Sequence, residues 1–317
     1  MFTSEQYELL DFGNGRRLER LGGLILDRPC PAAEDHIAAA PSLWKDVDVR
    51  FLLQSGESRI DTFQRGNWIP ESDLGSAYFL TRKSTNQDTP PAWNIRHSHP
   101  TFILELKGSP FGHIGIFPEQ MHNWERIRTL CEEMTQKKGR PARILNLFAY
   151  TGGSTLAAAA SGAEVVHLDA ARNIVQQARK NADLSFKEPR SIRWIVEDAA
   201  KFVRRERKRG NHYDGIILDP PTYGHGASGE VWRLSRDLPK LMSDLVHLLE
   251  PKDFFVLLTF HAVGPEIKTI PAKVKEVFKN EFTGANQNRL LFSFEPIFID
   301  SAQNEKLTAG HGILIRG

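Results

Sequence analysis

The chain has 317 residues, 40% hydrophobic and 25% charged, with 41 Lys and Arg against 39 Asp and Glu for a formal charge of +2. That length and apolar share allow a large core, in roughly two ordinary domains, and exclude a disordered chain. No apolar run approaches the ~20 residues of a membrane helix, the start Met1-Phe2-Thr3-Ser4-Glu5 lacks a signal-peptide pattern, and Cys30 and Cys131 are the sole cysteines; the chain is expected in the reducing cytoplasm, without membrane, disulfide or zinc.

From residue 7 to about 115, short apolar stretches at 7–10, 24–26, 49–53 and 102–106 are broken by turns such as Gly13-Asn14-Gly15. They predict β-hairpins. Residues 54–100 are polar and interrupted by Pro70, Pro90 and Pro91, and read as an elaborated loop region anchored by Trp68 and Trp93. After Phe117 apolar runs alternate with amphipathic stretches, an α/β signature. Strands are expected at 144–148, 164–168, 192–196, 215–218, 254–260, 290–299 and 313–315. Helices are expected at 119–133, 155–161, 171–184, 199–208, 230–249 and 265–279. The division is a β-rich N-terminal domain over 1–115, suited to substrate or RNA binding, and an α/β domain over 116–317.

Three basic clusters, Arg16/Arg17/Arg20, Lys137/Lys138/Arg140/Arg143 and Arg204/Arg205/Arg207/Lys208/Arg209, offer contacts to RNA or are solvated helix faces.

Four motifs carry chemistry. The first, residues 144–155, is an apolar strand with Asn146 near its end, then Phe148-Ala149-Tyr150-Thr151-Gly152-Gly153-Ser154 at a strand-to-helix turn. Glycines there let the backbone touch a nucleotide-like cofactor at the carboxyl edge of a parallel sheet. In the second, a strand ends in Asp169, spaced to grip a ribose. The third delivers Asp198 to accept from an adenine amino group; either acid also suits a helix cap. The fourth is Asp219-Pro220-Pro221-Thr222-Tyr223, where two prolines end a buried strand and stiffen the loop that projects Asp219 and the Pro220 carbonyl.

In order and spacing these motifs resemble those of class I methyltransferases. Within that class the Phe148-Ala149-Tyr150-Thr151-Gly152 form is similar to the large-subunit (23S) ribosomal RNA methyltransferases that modify cytosine C5 or guanine N7. Residues 111–120, with Asn123-Trp124, resemble the segment that leads into the methyltransferase domain. The resemblance implies a Rossmann-like seven-stranded sheet, S-adenosylmethionine as cofactor and ribosomal RNA as substrate. Its implied cofactor residues are Phe117, Gln120, Asn123, Asn146, Phe148, Ala149, Tyr150, Thr151, Gly152, Ser154, Asp169, Ala170, Asp198, Ala199 and Asp219. Asp219, Pro220 and Tyr223 face the acceptor, and no metal is implied.

Two departures bear on the chemistry. Asn146 stands where many class I enzymes carry an acid. Thr222 and Thr259-Phe260-His261 stand where C5-cytosine enzymes carry their nucleophilic cysteine. Carbon C5 needs a thiolate adduct, whereas a nitrogen owns a lone pair and needs mainly orientation. The residues therefore point to nitrogen, and the resemblance favours guanine N7. Three other readings are a methyltransferase for a protein or small molecule, a non-catalytic RNA-binding protein, and an NAD-dependent dehydrogenase. The last lacks its G-x-G-x-x-G turn.

Overall fold

In the computed structural model, which describes residues 1–54, 65–79, 93–225, 231–262, 264–282 and 289–317, the chain divides into two units. The first holds Met1–Ser98, Ile103–Met121 and Phe298–Ala309. Its five-stranded sheet runs in chain order: β1 (Tyr7–Gly13), β2 (Arg16–Leu21), β3 (Leu24–Pro29), β4 (Val49–Leu53) and β5 (Gly66–Pro70). Asn14 (φ 53°) and Gly15 (φ 73°) turn β1 into β2 through the left-handed region that a two-residue hairpin requires.

The apolar pattern did not show β2, because Arg16, Arg17, Glu19 and Arg20 interrupt it. Tertiary partners make its charges tolerable. Glu19 is fully buried, accepts from Tyr7 Oη at 3.0 Å and Arg28 Nε at 2.5 Å, and lies 3.3 Å from Arg17 Nε. Burial opposes its ionisation, but the Arg17 and Arg28 guanidiniums outweigh that and hold the carboxyl below the usual range.

Within the expected loop region lie β5, α1 (Asp73–Phe79) and β6 (Asn94–Ser98), the last paired with β7 (Thr101–Glu105). These elements are short, and β5 is fixed by antiparallel pairing with β4 rather than by its own pattern. Trp68 and Trp93 do anchor the region: Trp68 Nε1 donates to Ser109 O at 2.8 Å and Trp93 Nε1 to Leu21 O at 3.2 Å. Pro90 and Pro91 lie outside the described residues.

The second unit holds His99–Phe102, His122–Ile297 and Gly310–Gly317. Strand and helix alternate through α2 (Met121–Lys138), β8 (Arg143–Leu147), α3 (Gly153–Ala160), β9 (Glu164–Asp169), α4 (Arg172–Ser185), β10 (Ile192–Val196), α5 (Ala199–Arg209) and β11 (Gly215–Leu218). A hairpin of β12 (Tyr223–His225) and β13 (Val231–Arg233) follows, then α6 (Leu234–Val246), β14 (Phe255–Phe260), α7 (Glu266–Glu281), β15 (Leu291–Asp300) and β16 (Lys306–Arg316). The hairpin displaces the start of the helix expected from Glu230, a residue outside those described.

Seven strands form one sheet in the order β10-β9-β8-β11-β14-β16-β15. The first five run parallel, and β16 is antiparallel to β14. This is the expected α/β, Rossmann-like seven-stranded sheet, preceded by a β-rich N-terminal unit. Leu145, Leu147, Phe202, Ile216, Leu218, Leu241 and Phe260 are among the core residues that seal helices onto it. The strand order reverses between β8 and β11, and in open α/β sheets the crevice at such a switch point takes the ligand. Among the described residues no helix is long and apolar enough to cross a membrane.

Candidate functional site

The loop after β8 departs from ordinary backbone geometry. Phe148 (φ 53°), Tyr150 (φ 50°) and Gly152 (φ 95°) all enter the left-handed region, which side chains other than glycine rarely adopt. Such strain persists where surrounding contacts over-determine it. Here the contacts come from β9 and α4: Tyr150 N–H donates to Asp169 Oδ2 at 3.0 Å, and Asn181 Nδ2 donates to the Thr151 carbonyl at 2.9 Å. Gly153 is also a steric requirement, since a Cβ there would stand 2.7 Å from the Trp124 ring.

Beneath this loop lies a buried polar chain. Asn146 Nδ2 donates to Thr155 Oγ1 at 2.8 Å, and Thr155 Oγ1 is hydrogen-bonded to His167 Nδ1, also at 2.8 Å. Asn146 is thus turned into the sheet and braces the first turn of α3. Burial pushes the His167 imidazole down to about 3, so it is neutral. Neither Thr155 nor His167 was assigned a role from sequence, where a histidine inside an apolar strand carries no distinguishing signal.

Asp169 ends β9 with Oδ1 accepting from Ala171 N–H at 2.9 Å and Oδ2 from Tyr150. Burial raises its carboxyl above the usual range, against the backbone bonds from Ala171, Tyr150 and Ala170. It clamps the loop, and the acceptor-only carboxylate keeps lone-pair capacity beyond these bonds for a ligand hydroxyl. Asp198 is the N-cap of α5, with Oδ1 accepting from Lys201 N–H at 2.8 Å, beside buried Ala199. Ser154 lies in the first turn of α3, whose N-cap Gly152 supplies no side-chain acceptor. The first N–H groups of that helix therefore remain for an anionic ligand.

On the other side of the switch point, Asp219 follows β11, with Pro220 buried and Pro221 exposed. Thr222 Oγ1 donates to the His261 carbonyl at 2.6 Å, and His261 Nε2 stands 4.0 Å from Asp219 Oδ1. Tyr223 opens the β12–β13 hairpin. Sequence reading missed Trp232 on β13: its Nε1 donates to the Pro221 carbonyl at 2.7 Å and its ring centroid lies 5.2 Å from that of Phe148.

The second unit thus brings together Asn146, residues 148–154, Asp169, Asp198 and the Asp219 loop, and it also contains buried Asn123. Phe117 and Gln120 belong to the first unit. Cys30 and Cys131 are buried, and burial pushes the Cys131 thiol up to about 12.

The basic clusters are largely committed to acids of their own unit. Arg16 pairs with Asp27 at 2.5 Å and Arg20 lies 3.7 Å from Glu8. Lys137 pairs with Asp253 at 3.2 Å and Arg140 with Asp214 at 2.7 Å. Arg205 contacts Glu197, Arg207 pairs with Asp244 at 3.0 Å and Arg209 with Glu206 at 2.9 Å.

A family model described as S-adenosylmethionine-dependent methyltransferase matches residues 122–283. The ribosomal RNA large subunit methyltransferase I of Salmonella enteritidis PT4 is 31% identical over 247 residues, covering 77% of this chain and 57% of that protein. That of Aeromonas hydrophila subsp. hydrophila is 33% identical over 123 residues, covering 38% and 30%. The match therefore spans between 30% and 57% of the length of these two curated relatives. The crystal structure of an S-adenosylmethionine-dependent methyltransferase from Agrobacterium tumefaciens aligns with a TM-score of 0.80 at 27% identity, covering 100% of this chain and 92% of that one. With the strained loop, the two strand-end acids and the Asp-Pro-Pro turn all at the carboxyl ends of the parallel strands, and the family model spanning just over half of its length, the chain belongs to the S-adenosylmethionine-dependent methyltransferases.

Proposed function

We propose that the protein is a cytoplasmic enzyme that methylates a base nitrogen of ribosomal RNA, guanine N7 being the acceptor that the family resemblance favours. The observation that carries this reading is the placement of Asp219-Pro220-Pro221 at the carboxyl end of β11, across the switch point from the loop that follows β8.

S-adenosylmethionine, when bound, supplies a methyl group on a sulfonium that leaves as a neutral thioether. The residues of the chain do the positioning. Asp169 accepts from the ribose hydroxyls, with Ala170 beside it. Asp198 accepts from the adenine amine through the oxygen not used as a cap, with Ala199 beneath. The backbone of Phe148, Ala149, Tyr150, Thr151 and Gly152, with Ser154 and the first N–H groups of α3, holds the methionine end. Asn123, on α2 of the same unit, joins the set by resemblance. In-line displacement requires donor and acceptor at near-attack distance in a dry site, a task suited to the stiff Asp-Pro-Pro loop. There Asp219 and the Pro220 carbonyl orient the acceptor and Tyr223 stacks on the exposed base.

Nitrogen is supported over carbon because no thiol stands at the acceptor side: Thr222 and Phe260 occupy the relevant positions, and Cys131 lies on α2. The N-terminal domain, residues 1–115, serves the substrate, and residues 116–317 form the catalytic domain. One observation favours a protein or small-molecule acceptor instead, namely the intramolecular pairing of the basic clusters. Mass-spectrometric nucleoside analysis of ribosomal RNA from cells with and without the gene decides between them: loss of one methylated nucleoside is expected, and an unchanged profile points to another acceptor class.

A further inference from the structure

The β12–β13 hairpin pairs Tyr223 with Arg233 and Gly224 with Trp232. Cross-strand partners share a face, so Trp232 lies on the side where residue 224 carries no side chain. A Cβ on Gly224 would stand 3.4 Å from the Pro221 ring, so this face packs on the Asp-Pro-Pro turn. From it the Trp232 indole makes two contacts with different partners. Its Nε1–H donates to the Pro221 carbonyl at 2.7 Å, and its ring lies 5.2 Å from Phe148 at an interplanar angle of 51°. Pro221 belongs to the loop that presents Asp219. Phe148 opens the strained loop after β8.

Two consecutive prolines have no backbone N–H, so their turn is gripped mainly through its carbonyls. The Thr222 hydroxyl and carbonyl tie the far end of the turn to His261 and Leu234. Trp232 differs from these tethers in touching the cofactor-side loop as well.

We infer that Trp232 is a positioning residue that sets the acceptor loop against the cofactor loop. This rests on reading residues 219–223 as the acceptor side. The indole is a donor only, so its bond to Pro221 has one sense, and its loss frees the turn without removing any group that touches the reactants. Misregistration of donor and acceptor lowers turnover more than it weakens binding of either.

Trp232→Phe, which keeps a ring beside Phe148 but no N–H, and Trp232→Ala, which keeps neither, separate the two contacts. Three quantities are measured: S-adenosylhomocysteine affinity by calorimetry, labelled-methyl transfer from S-adenosylmethionine to ribosomal RNA from a strain lacking the gene, and amide exchange at Thr222 and Tyr223. For Trp232→Phe the expected results are a Kd within about twofold, a kcat lower by about tenfold with KM for RNA nearly unchanged, and exchange faster by about tenfold, the factor one net hydrogen bond is worth. Trp232→Ala is expected to weaken S-adenosylhomocysteine as well. Unchanged exchange in Trp232→Phe overturns the inference, as does wild-type kcat. Asp219→Ala, run in parallel, isolates the underlying reading: if it transfers methyl normally, the acceptor-side assignment itself falls. If it is inactive while Trp232→Phe is unaffected, only the role of Trp232 falls.

Discussion

Tyr150 donates its backbone N–H to the Asp169 carboxylate at 3.0 Å, so the acid at the end of β9 holds the strained loop at the end of β8. The same carboxylate is the proposed ribose acceptor, and the two duties reinforce each other. Asp169→Ala is therefore expected to weaken S-adenosylhomocysteine binding by roughly 1.5–3 kcal/mol, the scale of hydrogen bonds to a charged group. Calorimetry on the folded variant checks this, and wild-type affinity would remove Asp169 from the site.

Asp219→Ala should leave cofactor affinity nearly intact while most turnover is lost, because its proposed partner is the acceptor. Equal losses in binding and turnover would assign it a structural role at the end of β11.

His167 is buried neutral, its imidazole pushed down to about 3. An unfolded chain takes up this proton below about pH 6.5 and the folded chain does not, so the associated stability is full above that pH and declines as pH falls. Between pH 7 and 5 the wild type should lose about 2 kcal/mol more than His167→Gln, measured by urea denaturation. Parallel pH curves for the two proteins would place the titrating group elsewhere.

Arg205, Arg207 and Arg209 already face Glu197, Asp244 and Glu206. Replacing all three with Ala is expected to leave the salt dependence of RNA affinity unchanged, since pairs engaged with their own unit release few counterions from RNA. A flatter slope of log K against log salt would return α5 to the RNA-binding surface.

A cysteine-free chain, Cys30→Ser with Cys131→Ser, should keep methyl transfer within a few-fold, after allowance for the cost of burying hydroxyls at two buried sites. A double variant that folds and binds S-adenosylhomocysteine yet transfers no methyl would bring back thiolate chemistry at carbon. So would a covalent adduct with RNA containing 5-fluorocytosine.

The sequence alone made legible the alternation of β8, β9, β10, β11 and β14 with helices, because buried parallel strands are continuous apolar runs and helices keep a 3.6-residue period, but it did not show the β12–β13 hairpin. The sequence also marked Asp169, Asp198 and Asp219 as strand-end residues: Asp169 closes β9, Asp219 directly follows β11, and Asp198 caps α5 two residues past β10. It did not show β2, whose charges are stabilised by Tyr7 and Arg28 on neighbouring strands. Nor did it show that Asn146 bonds Thr155 beneath the loop, that Tyr150 and Phe148 are held at positive φ, or that Trp232 joins Phe148 to Pro221. Local spacing reports what one segment does with its own backbone. These contacts join residues 9 to 84 positions apart, and only the folding of the chain decides which of them meet.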